Sequence, residues 1–168
     1  MTLNYRAGND NDLNNLKRLA LKSWGQFQQA LTAENWEKLH TTLNNDNTYT
    51  ELLNNSQSII CTTDNDQIIG MAFLVSSGHP TDIYESDWSY IRFLTVDPYF
   101  GGQGIGRQLT LQCIDLAKSN GERTIALHTS EMMNKARYIY EDLGFTILKE
   151  IGQRFGKQYW LYTLDISK

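Results

Sequence analysis

The sequence predicts a single mixed α/β domain of the α+β kind, a mostly antiparallel sheet built around one central parallel β-α-β unit. Three observations predict it. A chain of 168 residues suffices for one well-packed core, and no repeat, low-complexity linker or long charge block divides residues 1–168. Apolar residues recur at helical spacing up to about residue 55, then run in β-branched stretches. Residues 89–128 read as strand, glycine-rich loop, amphipathic helix and strand, an order that requires parallel pairing.

Residues 3–6 read as a short first strand. Asp10 or Asp12 then caps a helix whose Leu13, Leu16, Leu19, Ala20 and Trp24 share one face. A second helix follows Thr32, with Trp36, Leu39 and Leu43 on one side. Thr48-Tyr49-Thr50-Glu51 is a capping-box pattern ahead of Leu52 and Leu53 and predicts a short third helix, with residues 44–47 and 54–56 as Asn-rich loops. Residues 58–63 and 67–76 are two strands of a hairpin turned at Asp64-Asn65-Asp66. Ser89–Val96 is a strand stopped by Asp97-Pro98. The helix over 104–119 carries Ile105, Leu109, Cys113, Leu116 and Ala117 on its core face and ends before Gly121. Residues 124–128 form a strand, Thr129 or Ser130 caps a helix running to Leu143, and Gly144 stops it. Residues 146–151 and 158–166 make a last hairpin. A mixed sheet of this order offers a ligand site where the parallel unit opens, outside the carboxyl ends of its strands.

Composition narrows the function. A net charge of −4 and a pI near 5.3 argue against a general nucleic-acid binder. Cys61 and Cys113 stand far apart with no Cys-x-x-Cys or Cys/His spacing, so they read as small core residues rather than a disulfide framework or zinc site. No His–carboxylate cluster suggests a metal. No apolar leader opens the chain and no stretch reaches the length of a membrane span, so a cytoplasmic protein without a membrane partner is expected.

The most informative segment is Val96-Asp97-Pro98-Tyr99-Phe100-Gly101-Gly102-Gln103-Gly104-Ile105-Gly106-Arg107. Its four glycines leave backbone amides unshielded directly before a helix, and the positive end of that helix adds to them. The pattern suits a phosphate; a turn that merely lets strand and helix pack closely is the plainer alternative. A P-loop is excluded because Gly106 is followed by Arg107-Gln108, not Lys-Ser/Thr. The dinucleotide fingerprint is excluded because Gly102, Gly104 and Gly106 merely alternate.

A strand, Val-x-Pro and a glycine loop entering an amphipathic helix resemble the pyrophosphate-binding motif of the GNAT acetyltransferases, with Gly104-Ile105-Gly106 supplying its glycines. Ala136-Arg137-Tyr138-Ile139-Tyr140-Glu141-Asp142-Leu143-Gly144-Phe145 is similar to that family's later helix, which commonly ends in Tyr-Glu-x-x-Gly-Phe. The sequence departs from the motifs twice: Gly101 stands where Gln or Arg is usual, and Met133, beside Asn134, stands where Asn is frequent. The resemblance is specific over residues 88–145 and looser over 3–24, and residues 25–57 carry none of it.

The resemblance implies a GNAT-like acyl-CoA N-acyltransferase fold and an enzyme that moves the acetyl group of acetyl-CoA to an amine by direct attack in a ternary complex, without a metal. It implies that Leu94, Thr95 and Val96 run beside the pantetheine arm, with Asn134 near it. Gly101, Gly102, Gln103, Gly104, Ile105, Gly106 and Arg107 would surround the pyrophosphate, Arg107 making up charge. Tyr140 would protonate the leaving thiolate; read without the family, it lies on an apolar stripe with Met132, Ala136, Ile139 and Leu143 and suits the core. The acceptor is a small-molecule or peptide amine, with Tyr49, Tyr84 and Trp88 as pocket candidates, and Trp24 and Trp36 as further aromatics whose spacing favours the core. No general base is identified: Glu85, Asp87 and Tyr90 are candidates that also suit a surface or turn, while His128 suits a hydrogen-bonded core and His79 a turn. Self-association as a homodimer is left open. A non-catalytic sensor or interaction domain that binds CoA or acyl-CoA on the same fold is the alternative.

Overall fold

The computed structural model describes residues 2–167, and within them one seven-stranded sheet carries helices on both faces. The strands are β1 (Asn4–Arg6), β2 (Gln57–Thr62), β3 (Ile68–Val75), β4 (Ser89–Val96), β5 (Thr124–Ser130), β6 (Thr146–Arg154) and β7 (Lys157–Asp165). Their spatial order is β1-β2-β3-β4-β5-β7-β6, and only β4 and β5 pair in parallel. Helices α1 (Leu13–Gly25), α2 (Ala33–Leu43) and α3 (Asp46–Asn55) bury Leu16, Leu19, Leu39, Leu43 and Leu52 against Ile60, Met71 and Phe73 on one face. On the other face α4 (Ile105–Ser119) and α5 (Asn134–Asp142) bury Ile105, Leu109, Cys113 and Tyr140 against Cys61, Ile69, Ile91 and Leu127.

The apolar spacing forms the elements, but several boundaries move. Asp12 stands at the N-cap of α1 without a side-chain cap bond to it, and Asn9 caps the turn ahead: its side chain accepts from the Asn11 N–H, while the Asp12 carboxylate accepts from the Asn9 N–H. Asp12 also accepts two bonds from the Arg6 guanidinium, at 2.8 and 2.9 Å, which tie β1 to α1 and hold the Asp12 carboxyl below its usual range. Helix α3 starts at Asp46 with Asn45 as its cap, so part of the expected Asn-rich loop is helical; the Thr48 hydroxyl donates to the Thr42 carbonyl instead. Thr129 and Ser130 do not cap α5. They extend β5, opposite Trp160 and Tyr159 of β7, and α5 begins after Met133 without a side-chain cap.

Two features position the site. A Cβ on Gly70 of β3 would lie 2.9 Å from Ile105 Cγ2 and 3.2 Å from Leu109 Cδ1, so glycine there lets α4 settle on the sheet with its N-terminus at the end of β4. The second is a bulge in β4: Arg92 faces Phe73 but Thr95 faces Met71, one extra residue, and Phe93 takes a left-handed φ of +53°. Beyond Ser89↔Ile125 and Tyr90↔Ala126, β4 and β5 no longer pair. The sheet forks there.

Candidate active site

The fork opens into a cleft of about 840 Å³. Strand β4 contributes Leu94, Thr95 and Val96, the loop Gly101, Gly102 and Gly104, α4 Ile105 and Gly106, and α5 Asn134, Ala136, Ile139 and Tyr140. The edge of β4 facing β5 has no strand partner from Ile91 onward, so its backbone is open to a ligand lying along it.

At the mouth, Asp97 accepts from the Tyr99 N–H at 2.9 Å and from Lys22 Nζ at 2.9 Å, and its own N–H donates to Ile69. This anchors the loop on β3 and on α1. Gly102 and Gly104 then take left-handed φ values of +78° and +80°, which turn successive amides to one side. The first helical bond of α4 runs from the Gln108 N–H to Gly104, and the N–H groups of residues 102–107 find no acceptor among the described residues. Six free donors at a helix N-terminus form an anion cradle. A Cβ at Gly102 or Gly104 would meet no protein atom within 4 Å, so the loop backbone lies open on that side.

Tyr140 projects from α5 into the far side of the cleft, 6% exposed, between the rings of Phe145 and Tyr162. Its helix is pinned to β7: Tyr162 donates to Glu141 at 2.6 Å and accepts from Arg137 Nε at 3.1 Å, and Arg137 stacks on Trp160 at 4.0 Å. The Tyr140 hydroxyl has no hydrogen-bond partner among the described residues. Burial, with the Cys113 thiol adding, holds the phenol above its ordinary range. It is a protonated donor facing the cavity.

Other candidates lie elsewhere. Gln103 is exposed at the loop tip, and the Arg107 guanidinium is 2.7 Å from Asp142, so neither lines the cleft. Tyr49 is fully buried, edge-on to Phe93, and donates to the Leu43 carbonyl at 2.6 Å; it packs α3 and does not form a pocket. Tyr84 is buried in a stack with Tyr90, centroids 4.0 Å apart, its hydroxyl 2.6 Å from His128 Nδ1, and half-buried Trp88 packs on that cluster. His128 is depressed to about 4, chiefly by burial and then by Arg154 and Arg92, so it is neutral at pH 7. Tyr90 reaches the His79 carbonyl at 3.4 Å, while Glu85 and Asp87 are exposed. Trp24, offered as a pocket aromatic whose spacing favoured the core, lines the cleft, as does Met132 of the apolar stripe; Phe27 and Phe100, not named as site residues, line it too.

Among the described residues no group of three or more His, Cys, Asp or Glu could hold a metal, and no helix is long and apolar enough to cross a membrane.

Residues 17–145 match the model of the acetyltransferase (GNAT) family. N-alpha-acetyltransferase 30 of Schizosaccharomyces pombe is 32% identical over 88 residues, which cover 52% of this chain and 57% of that relative, so the chain spans little more than half of it. Among solved structures, PaiA N-acetyltransferase of Thermoplasma acidophilum in complex with coenzyme A superposes with a TM-score of 0.80 at 14% identity, over 98% of this chain and 99% of that one. The ribosomal-protein-S18-alanine N-acetyltransferase of Escherichia coli gives 0.72 at 18% identity, over 99% and 96%. At those identities the likeness shows the fold.

Proposed function

The chain belongs to the acetyltransferase (GNAT) family, and from that premise we propose that it acetylates an amine acceptor, a small-molecule or peptide amine, with acetyl-CoA as co-substrate. The observation that carries this reading is the run of free amides over residues 102–107 at one end of a cleft whose other end holds the unpartnered Tyr140 hydroxyl. A non-catalytic binding domain would use the cradle but would have no use for that phenol.

Acetyl-CoA supplies an acetyl group activated as a thioester. The loop amides hold its pyrophosphate, with charge support from the α4 dipole in place of a side chain at Gly101. The free edge of β4 at Leu94, Thr95 and Val96 holds the pantetheine arm through backbone groups, with Asn134 beside it. The Arg107 side chain has no direct part, since its guanidinium is paired with Asp142.

In the transfer the amine nitrogen bonds to the acetyl carbon as the carbon–sulfur bond breaks. Tyr140 Oη gives its proton to the departing sulfur and recovers one from solvent, and the amine loses one proton to solvent. A phenol held above about 10 stays protonated at pH 7, so Tyr140 is ready as an acid throughout the neutral range. His128, depressed to about 4, is too weak a base to deprotonate an ammonium group, so the acceptor must arrive as the neutral amine. Purified protein given acetyl-CoA and a panel of amines should release free thiol in proportion to acetylated amine. Binding of CoA with no thiol release across the panel would leave only the binding-domain reading.

A further inference from the structure

We propose that the acceptor is a small amine carrying a carboxylate, which Arg92 and Arg154 hold on the face of the fork opposite α4 and α5. The proposal rests on the transferase reading above and names its substrate class.

The argument begins with register. The last paired residues of the parallel strands are Tyr90 and Ala126, and both point into one small cluster with Tyr84 and Leu161. Ile91 and Leu127, one step on, point to the opposite face, into the core beneath α4 and α5. Arg92 and His128, two steps on, therefore return to the first face, one on each lip of the opening. The cofactor cleft runs through the same gap, lined by Leu94, Val96 and Tyr140 from the α4 and α5 side and by Trp24 and Phe27 from the α1 side. A molecule reaching the gap from the Arg92 face meets the cleft at its reacting end.

Charge is the second observation. The chain carries a net charge of −4, and several cations are paired among the described residues: Arg6 with Asp12, Lys22 with Asp97, Arg107 with Asp142. Arg92 forms no ion pair among the described residues and lies over the Phe93 ring at 5.6 Å, exposed. The nearest carboxylate to Arg154 is Asp82 at 4.0 Å, on a side chain 85% exposed, a contact of little strength. Both guanidinium groups lie near enough to His128 to disfavour its charged form, and Arg154 also acts on Tyr84 and Tyr159, favouring their ionised forms. Two uncompensated forked donors at one opening match a planar carboxylate. A small amino acid carries such a carboxylate beside its amine, whereas a peptide N-terminus presents its own amide in place of the acid.

The test uses the full chain, acetyl-CoA and matched acceptors: glycine, β-alanine and 4-aminobutanoate, each beside its carboxamide, plus a neutral tripeptide, with rates referred to the neutral amine. The expected result is a kcat/KM at least tenfold higher for one or more acids than for the matching amide and the tripeptide. Arg92→Gln and Arg154→Gln should erase that preference by lowering the acid rate tenfold or more, with the amide rate within twofold and CoA affinity and melting temperature near wild type. Arg92→Lys should retain part of it. Equal or higher rates for amides or the tripeptide overturn the proposal while leaving the transferase reading intact, and so does a loss that falls equally on acid and amide. No transfer to any member overturns both.

Discussion

Gly106 separates a loop built for packing from a loop built for a ligand. It is the second residue of α4, its φ lies outside the left-handed region, and an added Cβ would meet Ile139 Cδ1 at 3.5 Å and Val96 Cγ2 at 3.7 Å, ordinary contact distances. Within the protein alone, then, Gly106→Ala is favourable: it removes backbone freedom from the unfolded chain at a helical position, worth about 0.5–1 kcal/mol. In a domain of this size that raises the melting temperature by roughly 2–4 °C per kcal/mol. The effect on CoA has the opposite sign. Cβ atoms of a helix lean toward its N-terminus, so the methyl stands among the free amides and keeps a phosphate from them. We expect at least a tenfold weaker CoA complex. At a ligand concentration about 100 times the wild-type dissociation constant, stabilisation by CoA is about 2.7 kcal/mol, and a tenfold weaker variant keeps about 1.4. Thermal unfolding with and without CoA should thus show a higher melting temperature for the free variant and about half the ligand-induced rise. A free variant that is more stable, with the full CoA response retained, would refute the assignment of residues 102–107 as the phosphate cradle.

Three further outcomes follow from the site. Tyr140→Phe keeps the ring between Phe145 and Tyr162 and removes only a hydroxyl without protein partners; turnover should fall about a hundredfold, with CoA affinity and melting temperature within error of wild type. Near-normal turnover with chemistry rate-limiting would make Tyr140 a core aromatic. Lys22→Met leaves the buried Asp97 carboxylate with the Tyr99 N–H alone; urea unfolding should show a loss of about 2 kcal/mol, and a loss under about 0.5 would show that solvent already screens the pair. His128 titrates near 4 in the folded protein against about 6.5 unfolded, so the unfolded chain binds the proton first as pH falls. The stability this contributes above pH 6.5 should be lost on the way to pH 4, about 2–3 kcal/mol between pH 7 and 4.5, and His128→Gln should flatten that part of the profile.

Local chemistry made most of the fold legible. Pro98 ends β4 where the sequence places its end, and the spacing of Leu13, Leu16, Leu19 and Ala20 is a helix in any context. Adjacent caps were harder: Asn45 and Thr48 can each start a helix, and the earlier one prevails because Thr48 finds the Thr42 carbonyl. Thr129 and Ser130 look like caps but are strand residues because β7 lies alongside them, a partner about 30 residues away that nothing local announces. The phosphate side of the site rests on consecutive backbone amides and so is written into the glycines. The acceptor side is not. Arg92, His128 and Arg154 come from three strands, and only the register past Tyr90 and Ala126 puts the first two on the same lip. Tyr49 misled for a similar reason, since an aromatic with a hydroxyl reads as a pocket residue until a carbonyl of α2 is found to accept its hydrogen bond.

The two-residue junction of β4 and β5 also has a mechanical meaning. Strands β1 to β4 form one leaf of the sheet and β5 to β7 the other, and the backbone ladder between them is Ser89↔Ile125 and Tyr90↔Ala126 alone, with α4 and α5 lying across the seam. Side-chain packing, which tolerates sliding better than a hydrogen-bonded ladder does, carries most of the load between the leaves. A ligand laid along the unpaired edge of β4 acts as a suture, adding backbone bonds where the chain supplies none. Amide exchange at residues 91–96 should accordingly be the most ligand-sensitive in the sheet, and the seam should be where the free molecule first parts under force.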